Sequence, residues 1–393
     1  MSMTTLSNRS IALGSAMLVS AALIAGGAAT GTAHAEAPGV RLIGVHDLPR
    51  DLTVDGTTVG GLSGIDRHPR TGEYLMISDD RSTIGPARYY TADIEISADG
   101  VDAVDLTSVT ELTRADGSAY PPYKESVDNP CTAPQAVCDR NGAVDPEELR
   151  VDPVSGRVWW STEGTFKGET LLNPALRVSG DGRTVRTFPL PESFRFDPEG
   201  RSGPRGNLTL EAFTFIDGGA RVTTALEGPL IQDGPEPTPQ HGALTRITEH
   251  ARSGAVTAQY AYPLDPVFAE PTAQDYMDNG VPAILSTGED GHYLVLERGY
   301  SDGNGYSIRL FAVDTAGADD IRDVAALAGS PEVEPVRKTL IADLGDLGVD
   351  PVFNVEGMTW GPERPNGDRT LVMVVDDNFS DEERTQVIAL AIA

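Results

Sequence analysis

Residues 148–163 read Glu-Leu-Arg-Val-Asp-Pro-Val-Ser-Gly-Arg-Val-Trp-Trp-Ser-Thr-Glu. A short apolar run leads through a turn at Gly156 into a second apolar run that ends in an acid. Brief apolar runs punctuated by Gly, Asp and Pro are hairpin signals. Four other segments repeat the arrangement. Gly61-Leu-Ser-Gly-Ile-Asp66 passes through Gly72 to Tyr74-Leu-Met-Ile-Ser-Asp79-Asp80. Leu210-Glu211-Ala-Phe-Thr-Phe215 passes through Gly219 to Val222-Thr-Thr-Ala-Leu-Glu227. Val281-Pro-Ala-Ile-Leu285 passes through Gly291 to Tyr293-Leu-Val-Leu-Glu297, and Val355-Glu356-Gly-Met-Thr-Trp360 through Gly367 to Leu371-Val-Met-Val-Val-Asp376-Asp377.

Further strand-like runs lie between these hairpins, among them Arg88 to Ile96, Leu244 to Ile247 and Ser307 to Val313. Each unit thus offers about four strands, and four-stranded sheets repeated around an axis are the blades of a β-propeller. Each sheet has two apolar faces that only its neighbours can cover, so the copies must come as a set. The expected fold is an all-β propeller spanning residues 36–393 as a single domain, with five blades counted directly. A sixth could hide in the connection 98–145, and an ordinary two-sheet sandwich is the competing architecture. The late run Gln386-Val-Ile-Ala-Leu-Ala-Ile392 and the early run Val40-Arg-Leu-Ile-Gly-Val45 are expected to share the last blade and close the ring.

Composition agrees and excludes other classes. Gly 42 and Pro 28 make about 18% of the 393 residues, against roughly 12% in average usage. Such turn-residue content argues against a helical bundle. With 59 acidic against 30 basic side chains the net charge is −29, which repels nucleic acid and anionic membranes. Only Lys124, Lys167 and Lys338 are lysines. A small anionic substrate would therefore need a bridging cation.

The N-terminus reads as an export signal. Arg9 precedes the apolar stretch Ile11 to Ala29, and Ala33-His34-Ala35 offers a small-x-small cleavage site. Cleavage after Ala35 would release a secreted or cell-envelope protein with no remaining membrane span, expected to be a monomer. In that setting Cys131 and Cys138 are expected to form one local disulfide.

Radial repetition brings matched positions toward one axis. Glu148, Glu211 and Glu356 occupy equivalent first-strand positions, where Ser63 stands in the first repeat. Asp79, Asp80, Glu163, Glu227, Glu297, Asp376 and Asp377 recur at the ends of second strands. Carboxylates crowded at one mouth either keep a proton or collect a cation, and all-oxygen ligands favour Ca²⁺, with Mg²⁺ second. The first-strand glutamates are the candidate catalytic groups and the second-strand acids the candidate metal ligands. Arg81 and Arg298, each following an acid, are candidates to hold an anionic substrate. The loop Gly299-Tyr-Ser-Asp-Gly-Asn-Gly305 could rim the mouth. Gly61-Leu-Ser-Gly-Ile65 is out of frame for a G-x-S-x-G nucleophile elbow, and the histidines show no metal-ligand spacing. Metal-activated water is then the more natural nucleophile.

Three pieces carry a family resemblance. They are Gly61-Leu-Ser-Gly-Ile65 with Ile77-Ser-Asp-Asp-Arg81, Leu296-Glu-Arg-Gly-Tyr300 with Ile308-Arg-Leu-Phe311, and Asn354-Val-Glu-Gly-Met358 with Val375-Asp-Asp-Asn-Phe379. The combination resembles the phytase-like family described as having esterase-like activity, found in exported bacterial proteins. That resemblance implies a propeller hydrolase acting on ester or phosphoester bonds, and by analogy with propeller phytases several Ca²⁺ ions in an acidic mouth. Two other readings stay open: a calcium-dependent lactonase-like propeller, for which Asn354 and Asn378 are available, and a non-catalytic surface-binding propeller with structural calcium.

Overall fold

Alternation along the second strands decides how the sheets stack. Tyr74 and Met76 pack into one apolar cluster, while Leu75 and Ile77 pack into the next. Trp159 and Trp160 likewise face opposite neighbours. A strand apolar on both faces must be covered on both faces. The computed structural model, which describes residues 39–329 and 333–393, shows how: five four-stranded antiparallel sheets stand around an axis, with an apolar cluster between each adjacent pair.

Blade one comprises Leu62–Arg67, Tyr74–Ser78, Arg88–Ile96 and Val101–Glu111. Blade two comprises Pro146–Val151, Val158–Thr162, Ala175–Gly180 and Arg183–Phe188. Blade three holds Ala212–Ile216, Arg221–Ala225, Ala243–Ala251 and Val256–Leu264. Blade four holds Met277–Ser286, His292–Ser301, Gly305–Asp314 and Arg337–Asp343. Blade five takes Asn354–Trp360, Arg369–Asp376 and Gln386–Ile392, and is completed by Val40–Asp47, with Val40 opposite Ile392 and Asp47 opposite Gln386. The ring closes as expected.

The propeller has five blades, not six. The segment 98–145 forms the outer strand of blade one and then two short helices, Tyr123–Asp128 and Gln135–Asn141, with the Cys131–Cys138 disulfide tying the connection between them to the second helix. No helix among the described residues is long and apolar enough to cross a membrane. The export-signal reading falls on residues 1–35, outside the described range.

First strands of neighbouring blades meet around the central channel, and four of the five are bulged. Pairing with the second strand slips between Leu62 and Gly64, Pro146 and Leu149, Gly280 and Ala283, and Val355 and Gly357. A bulge leaves a residue unpaired and re-aims its side chain. Two glycines follow from the crowding: a Cβ on Gly64 would lie 2.6 Å from the Glu147 carbonyl oxygen, and one on Gly357 2.7 Å from that of Ser63. Real side chains do not fit at either place.

Below the bulges the channel is plugged by Arg150, whose guanidinium is almost wholly buried. It donates to the carbonyls of Ile65 in blade one, Phe213 in blade three and Ile284 in blade four, and to Glu148 Oε2 at 2.7 Å.

Candidate functional site

Above this plug lies an open basin of about 220 Å³. Nine carboxylates line it, from Asp79, Asp145, Glu147, Glu163, Glu211, Glu227, Asp278, Glu356 and Asp376, against the two guanidiniums of Arg81 and Arg298. A cavity of about 280 Å³ beside the disulfide has only Arg114 and Glu125 as charged lining groups, which makes the basin the chemical centre.

Second-strand ends supply Asp79, Glu163, Glu227 and Asp376, as their spacing suggested. Asp80, Asp377, Glu297 and Glu148, proposed from the sequence beside them, are placed elsewhere. Asp80 accepts the amides of Thr83, Ile84 and Gly85 and pairs with buried Arg88 at 2.7 Å. Asp377 accepts the Gly61 and Phe379 amides and the Thr385 hydroxyl. In each Asp-Asp pair the first acid faces the basin and the second braces a loop. Asp80→Asn is therefore expected to lower stability by about 3 kcal/mol, the scale of a broken buried pair, while leaving any divalent-cation affinity of the basin within about twofold. Calorimetry alongside calcium titration checks this; a large loss of calcium affinity with stability intact would return Asp80 to the basin.

Glu297 departs because of register. Gly280 pairs with Arg298 and Ala283 with Leu296, so Glu297 faces the two-residue bulge, as Ser161 does in blade two. It corresponds to Ser161 rather than Glu163. There it accepts from Tyr262 and Asn279 and contacts Lys338 and Arg309, away from the basin. Glu148 also departs because of a bulge. Two residues oppose Ser161, and the first of them, Glu147, lines the basin, while Glu148 neutralises Arg150 below.

The hairpin repeat does not mark Asp145, Glu147 or Asp278, which also line the basin. Asp145 lies just ahead of a strand, and Asp278 sits in a first strand that begins earlier than its apolar run. No apolar periodicity marks either.

The basin's electrostatics follow from burial. Desolvation pushes Asp145 up to about 8 although Arg81 opposes it, and Glu227 to about 8 although Arg298 opposes it. Burial first, then neighbouring carboxylates, holds Asp79, Glu147, Glu211 and Asp376 well above the usual range. Glu356 is raised by burial, with Arg298 the main opposing influence.

Two overlapping trios suit a hard cation. Asp145, Glu147 and Glu163 offer oxygens within 4.8 Å of one another, and so do Glu163, Glu211 and Glu227. Neither His nor Cys lines the basin. Two buried oxygens there, Asp79 Oδ1 and Asn354 Oδ1, accept no hydrogen bond, although such atoms are normally satisfied. An all-oxygen set with unanswered acceptors fits Ca²⁺ or Mg²⁺ better than a softer metal.

Arg298 donates to Glu227 Oε1 at 2.6 Å, lies 3.8 Å from Glu356, and has a buried Nε with no acceptor. Arg81 reaches Asp145 at 3.4 Å and lies over the Tyr123 ring. Both arginines are positioned to meet an anion entering the basin.

The sequence matches the family described as "Phytase-like: Esterase-like activity of phytase" over residues 57–379. No curated protein matches the chain. Among solved structures, a thermostable family-43 glycoside hydrolase is similar at TM-score 0.42 and 11% identity, covering 87% of this chain and 92% of its own. A family-43 β-1,3-galactosidase gives TM-score 0.43 at 13% identity, covering 88% and 94%. The Dos1 propeller gives 0.33 at 6%, covering 86% and 68%. None of these likenesses informs the chemistry of the basin.

Proposed function

Because the chain belongs to the phytase-like family, a family of hydrolase-like propellers, we propose that it is an exported, metal-dependent hydrolase of small anionic esters or phosphoesters. The observation that carries the reading is the pair of carboxylate trios sharing Glu163, set beside two arginines in one basin. Calcium is the proposed ion, held by Asp145, Glu147, Glu163, Glu211 and Glu227. When bound, such an ion polarises the ester oxygen and lowers the pKa of an attacking water. Arg298 and Arg81 orient the anionic group. Glu356, which accepts from Asn354 and stands beside Arg298, would protonate the leaving oxygen.

The test is turnover of phosphomonoesters, carboxylic esters and lactones, each with calcium and with chelator. Loss of all turnover in chelator supports the reading. No turnover under any metal condition, with calcium only raising Tm, would leave a binding propeller. The lactonase reading is favoured by Asn354 Oδ1, a buried amide oxygen free to serve as a ligand, and preferential lactone opening would establish it.

Stability should follow the basin's charge. Asp145 and Glu227 titrate near 8 in the fold and at about 4 when unfolded, so the neutral form favours folding. Their contribution is full below about pH 4 and is lost as pH rises through about 8. Chelated protein is thus expected to melt at lower temperature at about pH 8 than at about pH 5. Calcium should restore more at the higher pH. A calcium-induced rise in Tm that is the same at both pH values would refute this.

A further inference from the structure

One wall of the basin is aromatic. Tyr276, Tyr300 and Tyr306 all line it, with ring centroids 5.9 Å apart for the first pair and 4.9 Å for the second. Successive rings are tilted by 45° and 50°, so they form a stepped surface. Tyr276 is 55% exposed. A buried core would not leave such a face open.

The hydroxyls are already engaged. Tyr276 donates to Asp278 at 2.9 Å, Tyr306 to Glu383 at 2.9 Å, and Tyr300 to Asp302 at 3.4 Å. Each phenol edge is therefore turned to a carboxylate, and what remains for a ligand is π-face. Glu383 otherwise accepts from Asn378, and Asp302 from the Gln274 amide, so no basic group answers either charge in these contacts. The negative faces of Tyr300 and Tyr306 are reinforced by these carboxylates, while Asp278, behind Tyr276, is shared with Arg298. Such faces attract a cation, most of all one whose charge is spread over methyl groups and is cheap to desolvate. A neutral sugar or aryl ring gains far less from that charge than a cation does.

The wall is also joined to the anion-holding side of the basin. Asp278 accepts from the Tyr300 amide at 3.2 Å and lies 3.9 Å from Arg298. One ligand could place an anionic ester at Arg298 and a cationic end on the tyrosines.

We propose that the tyrosine wall binds an organic ammonium group, so that the substrates of this basin are esters of amino alcohols bearing a quaternary or tertiary ammonium. Only the ester half rests on the hydrolytic reading. The ammonium site stands on the wall itself.

Choline and its uncharged isostere 3,3-dimethylbutan-1-ol are the probes, titrated by calorimetry or NMR into the chelator-treated full chain. Choline is expected to bind at least about tenfold more tightly than the isostere. Tyr276→Leu, at an exposed position, should weaken choline about tenfold, whereas Tyr276→Phe should keep most of the affinity. Equal binding of both probes, or choline affinity unchanged in Tyr276→Leu, overturns the proposal. Choline binding without turnover of any ester upholds the wall and sinks only the hydrolytic reading. Turnover of esters without saturable choline binding does the reverse.

Discussion

Arg150→Ala is expected to be the most damaging single substitution in the propeller, destabilising it by about 3–5 kcal/mol. Typical domains are stable by only about 5–15 kcal/mol, so much of the protein would be recovered unfolded. The loss has two parts. Glu148 would remain as a buried carboxylate without its partner, and three carbonyls would lose their donor. Those carbonyls belong to blades one, three and four, so the guanidinium ties together sheets that do not all touch one another. Denaturant unfolding measures the effect. Adding Glu148→Gln to Arg150→Ala should recover part of it, because the orphaned charge goes. If Arg150→Ala unfolds at the same denaturant concentration as the parent, the plug has no structural weight.

Glu163→Gln is expected to carry the largest functional loss, roughly a hundredfold or more in calcium affinity with a parallel fall in kcat/KM. Glu163 is the one residue common to both trios, so one substitution weakens both. Folding should be spared. The Thr209 amide donates to Glu163 Oε1 at 3.0 Å, and a glutamine carbonyl can accept the same bond. Removing one negative charge from a crowded basin also relieves repulsion in chelated protein. Isothermal titration with calcium, beside a melting curve in chelator, separates the two effects. Unaltered calcium affinity would move the cation away from Glu163.

The ring was legible because its cause is local. Two apolar faces per strand and Gly or Asp at each turn are written into every repeat, and Trp159-Trp160 states both faces in adjacent letters. The basin was legible only where a side chain's direction follows from strand period. That holds for Glu163, Glu227, Asp79 and Asp376, which lie at the ends of second strands, and for Glu211, which leads into an unbulged first strand. It fails at the bulges of blades two and four, where one extra residue shifts the register, although Glu356 at the bulge of blade five does reach the basin. Glu147 and Glu148 are neighbours of the same type, and only the slip opposite Ser161 decides which faces the basin. Glu297 was misaligned for the same reason. The tyrosine wall had no repeat to announce it, since it belongs to one blade and arises from strands that run past their apolar cores.

The closure of blade five carries a consequence for the order of events in folding. Among the described residues Val40–Asp47 and Gln386–Ile392 are the first and last strands, yet they are hydrogen-bonded neighbours. Contacts of such wide sequence separation form late, since the whole intervening chain must first be gathered. Until the last strand is available, the blade lacks its centre and the clusters on either side, which draw on Val387, Ala389, Ile388 and Leu390, stay unfilled. A partly made chain is therefore an open series of sheets, and becomes a ring only when these two distant strands meet.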